Sequence, residues 1–192
     1  MDIRKASVES EDAVAAALTT AFGDDPVWGW AVPEPPAREA FWRFMARNGI
    51  ANDLVWVLDE GQATALWAPP GTVELDEAGE VALEHLCRDL PGEGAHRVMD
   101  VFESLDSVHP AEPHHYLSLL ATHEDHRGRG LGMALLVENL RQIDVAGEAA
   151  YLESTNPANL QRYASVGFRP HGEVRIPGGG QLVTTMWRDP RV

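Results

Sequence analysis

Apolar positions along this chain recur with two periods, one helical and one alternating, and their order predicts the fold. A short strand over 3–8 opens it. From Ser10 onward Val14, Ala17, Leu18, Ala21 and Phe22 repeat at helical spacing and form one apolar face. Ser10, Glu11 and Asp12 offer that helix a capping oxygen and negative charge, and Gly23 ends it. The proline-bearing stretch 24–36 reads as loop. A second helix is expected over 37–51, with Phe41, Phe44 and Met45 inward. Segments 54–58 and 63–67 read as strands around the turn 59–62, hence a hairpin. After the break Pro69-Pro70-Gly71, helices are expected over 76–90 and 95–108, separated by Pro91-Gly92. A strongly apolar strand over 115–122 leads into a helix over 130–146, whose stripe is Met133, Leu136, Val137, Leu140 and Ile143. Then come a strand over 149–154 and a short helix over 157–165 with proline in its permissive first turn. Two closing strands, 168–176 and 182–187, flank the turn Gly178-Gly179-Gly180. This alternation implies an α/β protein with a mixed sheet covered by helices.

Composition narrows the class. The 192 residues suit one domain, with 44% hydrophobic and 23% charged positions typical of a folded soluble chain. No apolar run approaches a membrane span and no secretory leader is evident, so a cytoplasmic location is the expectation. The single cysteine, Cys87, offers no disulfide or metal framework. With 15 basic and 30 acidic residues the formal charge is −15, which repels nucleic acid and anionic membranes and favours cationic small molecules. Lysine occurs once, so each arginine cluster stands out.

One such cluster carries the chemistry. The strand ending at Thr122 is followed by Arg127-Gly128-Arg129-Gly130-Leu131-Gly132, and a helix begins at once. Free amides at a helix start, added to the helix dipole, make an anion cradle, and glycines admit close approach to the backbone. A Walker loop is excluded because Gly132 is followed by Met133 and Ala134 in place of Lys-Ser/Thr. A dinucleotide fingerprint would need a different glycine spacing, although Glu153 stands about where its acidic residue would be. His123-Glu124-Asp125-His126 lacks the spacing of a zinc-binding helix, and no metal is expected.

Arg127-x-x-Gly130-x-Gly132 after an apolar strand resembles the acetyl-CoA pyrophosphate motif of the GNAT superfamily of N-acetyltransferases. Strand Tyr151-Leu-Glu-Ser-Thr155, then Asn156, Tyr163 and Gly167-Phe168, follow in that family's order. The resemblance runs from about residue 115 to 187. It implies one GNAT-type domain over 1–192, with a mostly antiparallel sheet containing a splayed parallel pair. Residues 1–110 would shape the acceptor site and 111–192 would bind acetyl-CoA. Leu120, Ala121 and Thr122 would offer backbone groups to the pantetheine arm. Residues Arg127, Gly128, Arg129, Gly130, Leu131 and Gly132 would hold the pyrophosphate, and Asn156 or Asn159 would bind the cofactor beside the next helix.

By the same resemblance Tyr163 is the candidate acid for the departing thiolate. Glu153 is a candidate base, and equally a structural acceptor or an exposed charge; His115 and Tyr116 are weaker candidates. Asp24, Asp25, Trp28 and Trp67 are expected around a cationic, partly apolar amine. Ala21 to Pro26, Trp67, Leu152-Glu-Ser-Thr155 with Asn159-Leu160, and Arg169 to Pro177 resemble puromycin N-acetyltransferase-like resistance enzymes. This implies a small-molecule acceptor, with an antibiotic among the candidates. Lysine or N-terminal protein acetylation, and a non-catalytic acetyl-CoA-binding regulatory domain, are the competing readings. The resemblance allows a homodimer, which no feature of the chain requires.

Overall fold

The computed structural model describes residues 1–191. Its seven strands form one sheet in the order β1-β2-β3-β4-β5-β7-β6. They are β1 (Ile3–Lys5), β2 (Val55–Leu58), β3 (Ala63–Ala68), β4 (His115–Thr122), β5 (Ala150–Ser154), β6 (Arg169–Arg175) and β7 (Leu182–Arg188). Every neighbouring pair is antiparallel except β4 and β5. That parallel pair is short: register runs from His115↔Ala150 to Leu117↔Leu152 and stops, while β4 continues to Thr122 and β5 to Ser154. The expected splay is therefore present. On its other edge β4 stays paired with β3 as far as Thr122, with a register shift that leaves Ser118 without a β3 partner.

The helices are α1 (Glu11–Phe22), α2 (Trp28–Ala31), α3 (Pro35–Ala51), α4 (Glu77–Arg88), α5 (Gly94–Asp106), α6 (Leu131–Ala146) and α7 (Leu160–Ser165). Helices α1 to α5 supply the core on one face of the sheet, where Val14, Leu18, Trp28, Phe41, Trp42, Val98 and Val101 pack against Val55, Val57 and Leu119. Aromatic rings knit that core together: Phe22 stacks on Trp42 at 4.5 Å between centroids, and Trp28 meets Trp42 at 5.3 Å and Phe102 at 5.7 Å. Helix α6 covers the opposite face through Leu131, Leu135, Leu136, Leu140 and Ile143.

Several local expectations are corrected. Residues 3–8 are not all strand, because Val8–Ser10 form a 3₁₀ turn. The Ser10 hydroxyl accepts from the Ser7 amide at 3.3 Å and so does not cap α1. The loop over 24–36 contains α2, nucleated by Asp25, whose carboxylate accepts from the amides of Val27 (2.9 Å) and Trp28 (3.0 Å). Helix α3 begins at Pro35, since proline in a first turn loses no hydrogen bond. On α6 the contact stripe centres on Leu135, Leu136 and Asn139, which turns Val137 outward at 52% exposure.

One ion pair ties the α6 C-terminus to the sheet. Arg188, 3% exposed, donates to both carboxylate oxygens of Asp144 at 2.6 and 2.7 Å and through Nε to the Val166 carbonyl at 2.9 Å. Removing one partner of such a pair strands a buried charge, so Asp144→Ala should lower unfolding free energy by about 3–5 kcal/mol in denaturant titrations. The hydrogen bond from Arg188 holds the Asp144 carboxyl below its ordinary value. A depressed carboxyl contributes stability above its unfolded pKa and loses it as pH falls through the lower folded one. The gap between wild type and Asp144→Ala should therefore be full at neutral pH and close below the ordinary value of 3.8. A gap under about 1 kcal/mol at neutral pH would show the pair to be energetically idle.

Candidate active site

Where β4 and β5 part, three spaces meet. The first is a groove of about 540 Å³ along the start of α6, lined by Leu120, Thr122, Arg127, Gly128, Gly130, Leu131 and Gly132 and, across from them, Asn156, Asn159 and Tyr163. Helix α6 has no side-chain cap; its N-cap is Gly130, at φ 75°. Its first amides are thus open to a ligand. A Cβ at Gly132 would stand 2.7 Å from the Thr122 hydroxyl, so any side chain there would force Thr122 to move. The guanidinium of Arg127 is tied to the Thr20 carbonyl on α1 and still faces the groove. Arg162, which no sequence pattern marks, lines it as well, as does His126, which stands out in the sequence only in a zinc-like pattern of the wrong spacing. An uncapped sixteen-residue helix, glycine backbone and two arginines fit a pyrophosphate-bearing cofactor.

Not every expected groove residue presents its side chain there. Ala121 is 2% exposed and packs into the α1–α5 core, leaving only main chain to the gap. Arg129 turns aside and lies 2.9 Å from the His126 ring. Asn156 accepts from the Ala158 amide at 3.0 Å and Asn159 from Arg162 at 2.9 Å, so both are held by local bonds while lining the groove.

The second space is a slot of about 50 Å³ between the parted strands, lined by Tyr116, Leu117, Ser118 and Leu120 from β4 and by Leu152, Glu153 and Ser154 from β5. Beyond Leu117 the β5-facing edge of β4 has no strand neighbour, so an extended ligand with amides could pair there as a strand would. Tyr163 borders both slot and groove. Burial, then the charge of Asp25, pushes its phenol up to about 12, against the opposing pull of Arg162. It therefore keeps its proton throughout the neutral range.

Glu153 lies on the other wall. Its side chain is 2% exposed and neither carboxylate oxygen makes a hydrogen bond of ordinary geometry, although the phenols of Tyr116 and Tyr151 lie close to it and His109 Nδ1 stands at 3.5 Å. That carboxylate holds the His109 imidazole above its usual value, against burial. His109 in turn stands 3.1 Å from His114, ring nitrogen to ring nitrogen. Burial, reinforced by the Glu153 charge, raises the phenols of Tyr116 and Tyr151. Glu153 is not an exposed charge: it is a buried carboxylate walling a slot. His115 is excluded as a base by geometry, since it points to Glu148 at 2.5 Å.

The third space is a cavity of about 630 Å³ continuous in lining with the slot through Trp28, Leu105, Tyr116 and Ser118. Its walls are mainly apolar, with Trp42, Met45, Phe102 and Leu119, while Glu74, Asp106 and His109 supply charge. Glu74 comes from the segment after Pro69-Pro70-Gly71. Burial raises its carboxyl to about 7, with the nearby Glu153 charge adding to the shift and the Ser118 hydroxyl opposing it.

Of the residues expected around a substrate, only Trp28 reaches this cavity. Trp67 is buried on the α6 side, where its indole N–H donates to Asn139 at 3.1 Å, so it cannot line the pocket. Asp24 faces the groove. Asp25 is 7% exposed and spent on the two amides of α2 and on the Thr155 hydroxyl at 2.8 Å. Burial holds its carboxyl above the ordinary value despite those bonds. Glu74, Ser118 and Phe102 are pocket residues that no local pattern marks, and His109 stands out in the sequence only as one of the histidines crowded between 109 and 126.

No protein-family model matches the chain. Among solved structures, it is similar to a histone acetyltransferase HPA2 and related acetyltransferase of Corynebacterium glutamicum, at 27% identity and TM-score 0.69 over 99% of this chain and 96% of that one. Arylalkylamine N-acetyltransferase 2 of Aedes aegypti aligns at TM-score 0.66 and 13% identity, covering 99% of both chains. Drosophila melanogaster polyamine N-acetyltransferase, which forms N-acetylagmatine, aligns at TM-score 0.65 and 16% identity over 98% of this chain and 99% of that one. The fold is that of the GNAT acetyltransferases, and the enzyme class is acyltransferase.

Proposed function

We propose that this chain transfers an acetyl group from acetyl-CoA directly to a primary amine of a small molecule. The observation that carries the reading is that a groove suited to an anion, a slot between parted strands and a mainly apolar cavity lined by carboxylates share walls in that order, at Tyr163 and then at Tyr116 and Ser118. The cofactor's pyrophosphate would rest on the start of α6 and its pantetheine amides along β4. The thioester would then stand in the slot, with the acceptor entering from the opposite side. Positioning alone accounts for much of the acceleration in such a reaction.

Glu153, within reach of His109, takes a proton from the incoming ammonium. The freed nitrogen forms a bond to the thioester carbonyl carbon, main-chain N–H groups at the strand opening hold the developing oxyanion, and the carbon–sulfur bond breaks. Tyr163 gives its proton to the departing sulfur and regains one from the nitrogen, which sheds its surplus proton as the neutral amide forms; the proton held by Glu153 passes to solvent by way of His109. A cavity of about 630 Å³ behind apolar walls suits a small amine and disfavours a protein chain. The net charge of −15 draws cations toward it. That solved structures of this fold include enzymes for arylalkylamines and for agmatine supports the amine class. The resemblance to puromycin N-acetyltransferase-like enzymes brings aminonucleoside antibiotics into the candidate set.

The test is release of free thiol from acetyl-CoA across aminonucleosides, aminoglycosides, arylalkylamines, diamines and a lysine peptide. Amine-dependent release with small molecules in excess of the peptide is expected. Release only with the peptide would move the assignment to protein acetylation. Tight acetyl-CoA binding with no release across the whole panel would favour a non-catalytic regulatory domain.

A further inference from the structure

The path from slot to cavity presents carboxylates at two successive positions. Tyr116 and Ser118 line both spaces; Glu153 stands on the slot side of them and Glu74 on the cavity side. The Glu153 side chain is 2% exposed, and neither of its oxygens makes a hydrogen bond of ordinary geometry. Glu74 Oε1 is likewise buried without one. Leaving such groups unmatched is costly unless a ligand answers them. Two imidazoles line the cavity: burial holds His114 below its usual value, and His109 sits against Glu153, so among the described residues Glu74 has the Ser118 hydroxyl and the more distant His109 charge beside it but no ion-pair partner of its own. Asp106, Glu80 and Glu112 on the cavity wall add further negative charge.

We propose that Glu74 is the specificity-determining residue of the acceptor site, and that the acceptor is a compact diamine with an apolar spacer. One amino group lies at Glu153 and is acetylated; the second, still protonated, is held by Glu74. The spacer lies against Trp28, Trp42 and Phe102. A monoamine of the same length can fill the apolar part and reach Glu153, but it leaves Glu74 unanswered. The near-neutral titration of Glu74 agrees with this: an arriving ammonium favours the ionised carboxylate, so diamine binding near pH 7 should release protons. The inference rests on reading the site as an N-acetyltransferase.

The experiment pairs amines that differ only in the second amino group: butanediamine against butylamine, hexanediamine against hexylamine, and para-xylylenediamine against 4-methylbenzylamine. For wild type, kcat/KM should favour the better diamine by about tenfold or more, as expected for a charge-assisted hydrogen bond. In Glu74→Gln that ratio should fall to about threefold or less, chiefly through a higher KM for the diamine, and Glu74→Asp should restore much of it. Calorimetry in two buffers of different ionisation enthalpy should show proton release on diamine binding to wild type and none with Glu74→Gln. An unaltered ratio in Glu74→Gln, or no diamine preference in wild type while monoamines turn over, would overturn the proposal and leave the transferase reading standing. If no amine releases thiol, the transferase reading fails. The calorimetric comparison then decides the Glu74 site: diamine heat that vanishes in Glu74→Gln sustains it, and equal or absent heats in both proteins overturn it.

Discussion

Tyr163→Phe will lower kcat by about 10²–10³ while acetyl-CoA affinity stays near that of wild type. The argument starts from what the hydroxyl contributes and what the ring contributes separately. The ring packs edge-on against Phe168 at 6.1 Å between centroids and belongs to the core beneath α6, so phenylalanine keeps the packing. The hydroxyl belongs to a phenol raised to about 12 by burial first and by the Asp25 charge second. A raised phenol holds its proton at every pH below that value, so this acid is fully loaded wherever the protein is folded and active. The rate should therefore show no alkaline fall from this group up to about pH 10, and any fall seen there must come from another. Turnover and calorimetric affinity should be measured together. A kcat within about threefold of wild type would remove Tyr163 from the chemistry. Equal loss of turnover and affinity would recast it as a wall of the groove.

Tyr163 was legible in the sequence because its whole setting is local. The strand β4, the glycine-arginine loop, the start of α6, the strand β5 and Asn156 follow one another, and each leaves a pattern in consecutive residues. The physics that builds an anion cradle needs glycines and a helix start, and both can be read directly. Glu153 was legible as a position on a strand, though alternation gave its face and not its burial. The acceptor side behaves differently. Glu74 sits in an irregular segment after a proline break, His109 follows α5, and Ser118 is placed by a register shift in β4. Only the folding of the segment after β3 across α5 and β4 brings them together, and nothing within any one segment announces it. Trp67 and Asp25 show the converse error. Both carry suitable chemistry, but the strand parity of Trp67 directs it to α6, and the amides that start α2 claim the Asp25 carboxylate.

Gly130→Glu is expected to abolish measurable acetyl-CoA binding, a loss of about 10³ or more in affinity. Two effects combine. Residue 130 is the N-cap of α6 at φ 75°, a conformation that costs an ordinary L-residue roughly 1–2 kcal/mol. The larger effect is electrostatic, because the new carboxylate would accept from the free amides of α6 and occupy the position an anionic pyrophosphate needs. The backbone strain can be separated from the charge with Gly147, which ends the same helix at φ 71° with open space where a Cβ would stand. Gly147→Ala imposes comparable strain far from the groove, and should reduce unfolding free energy slightly while leaving acetyl-CoA affinity intact. Calorimetry on both variants, with thermal unfolding as the check on folding, makes the comparison. If Gly130→Glu is folded and still binds acetyl-CoA as wild type does, the start of α6 is not the cradle. The cofactor would then have to lie elsewhere, and the slot between β4 and β5 would lose the thioester on which the roles of Glu153 and Tyr163 depend.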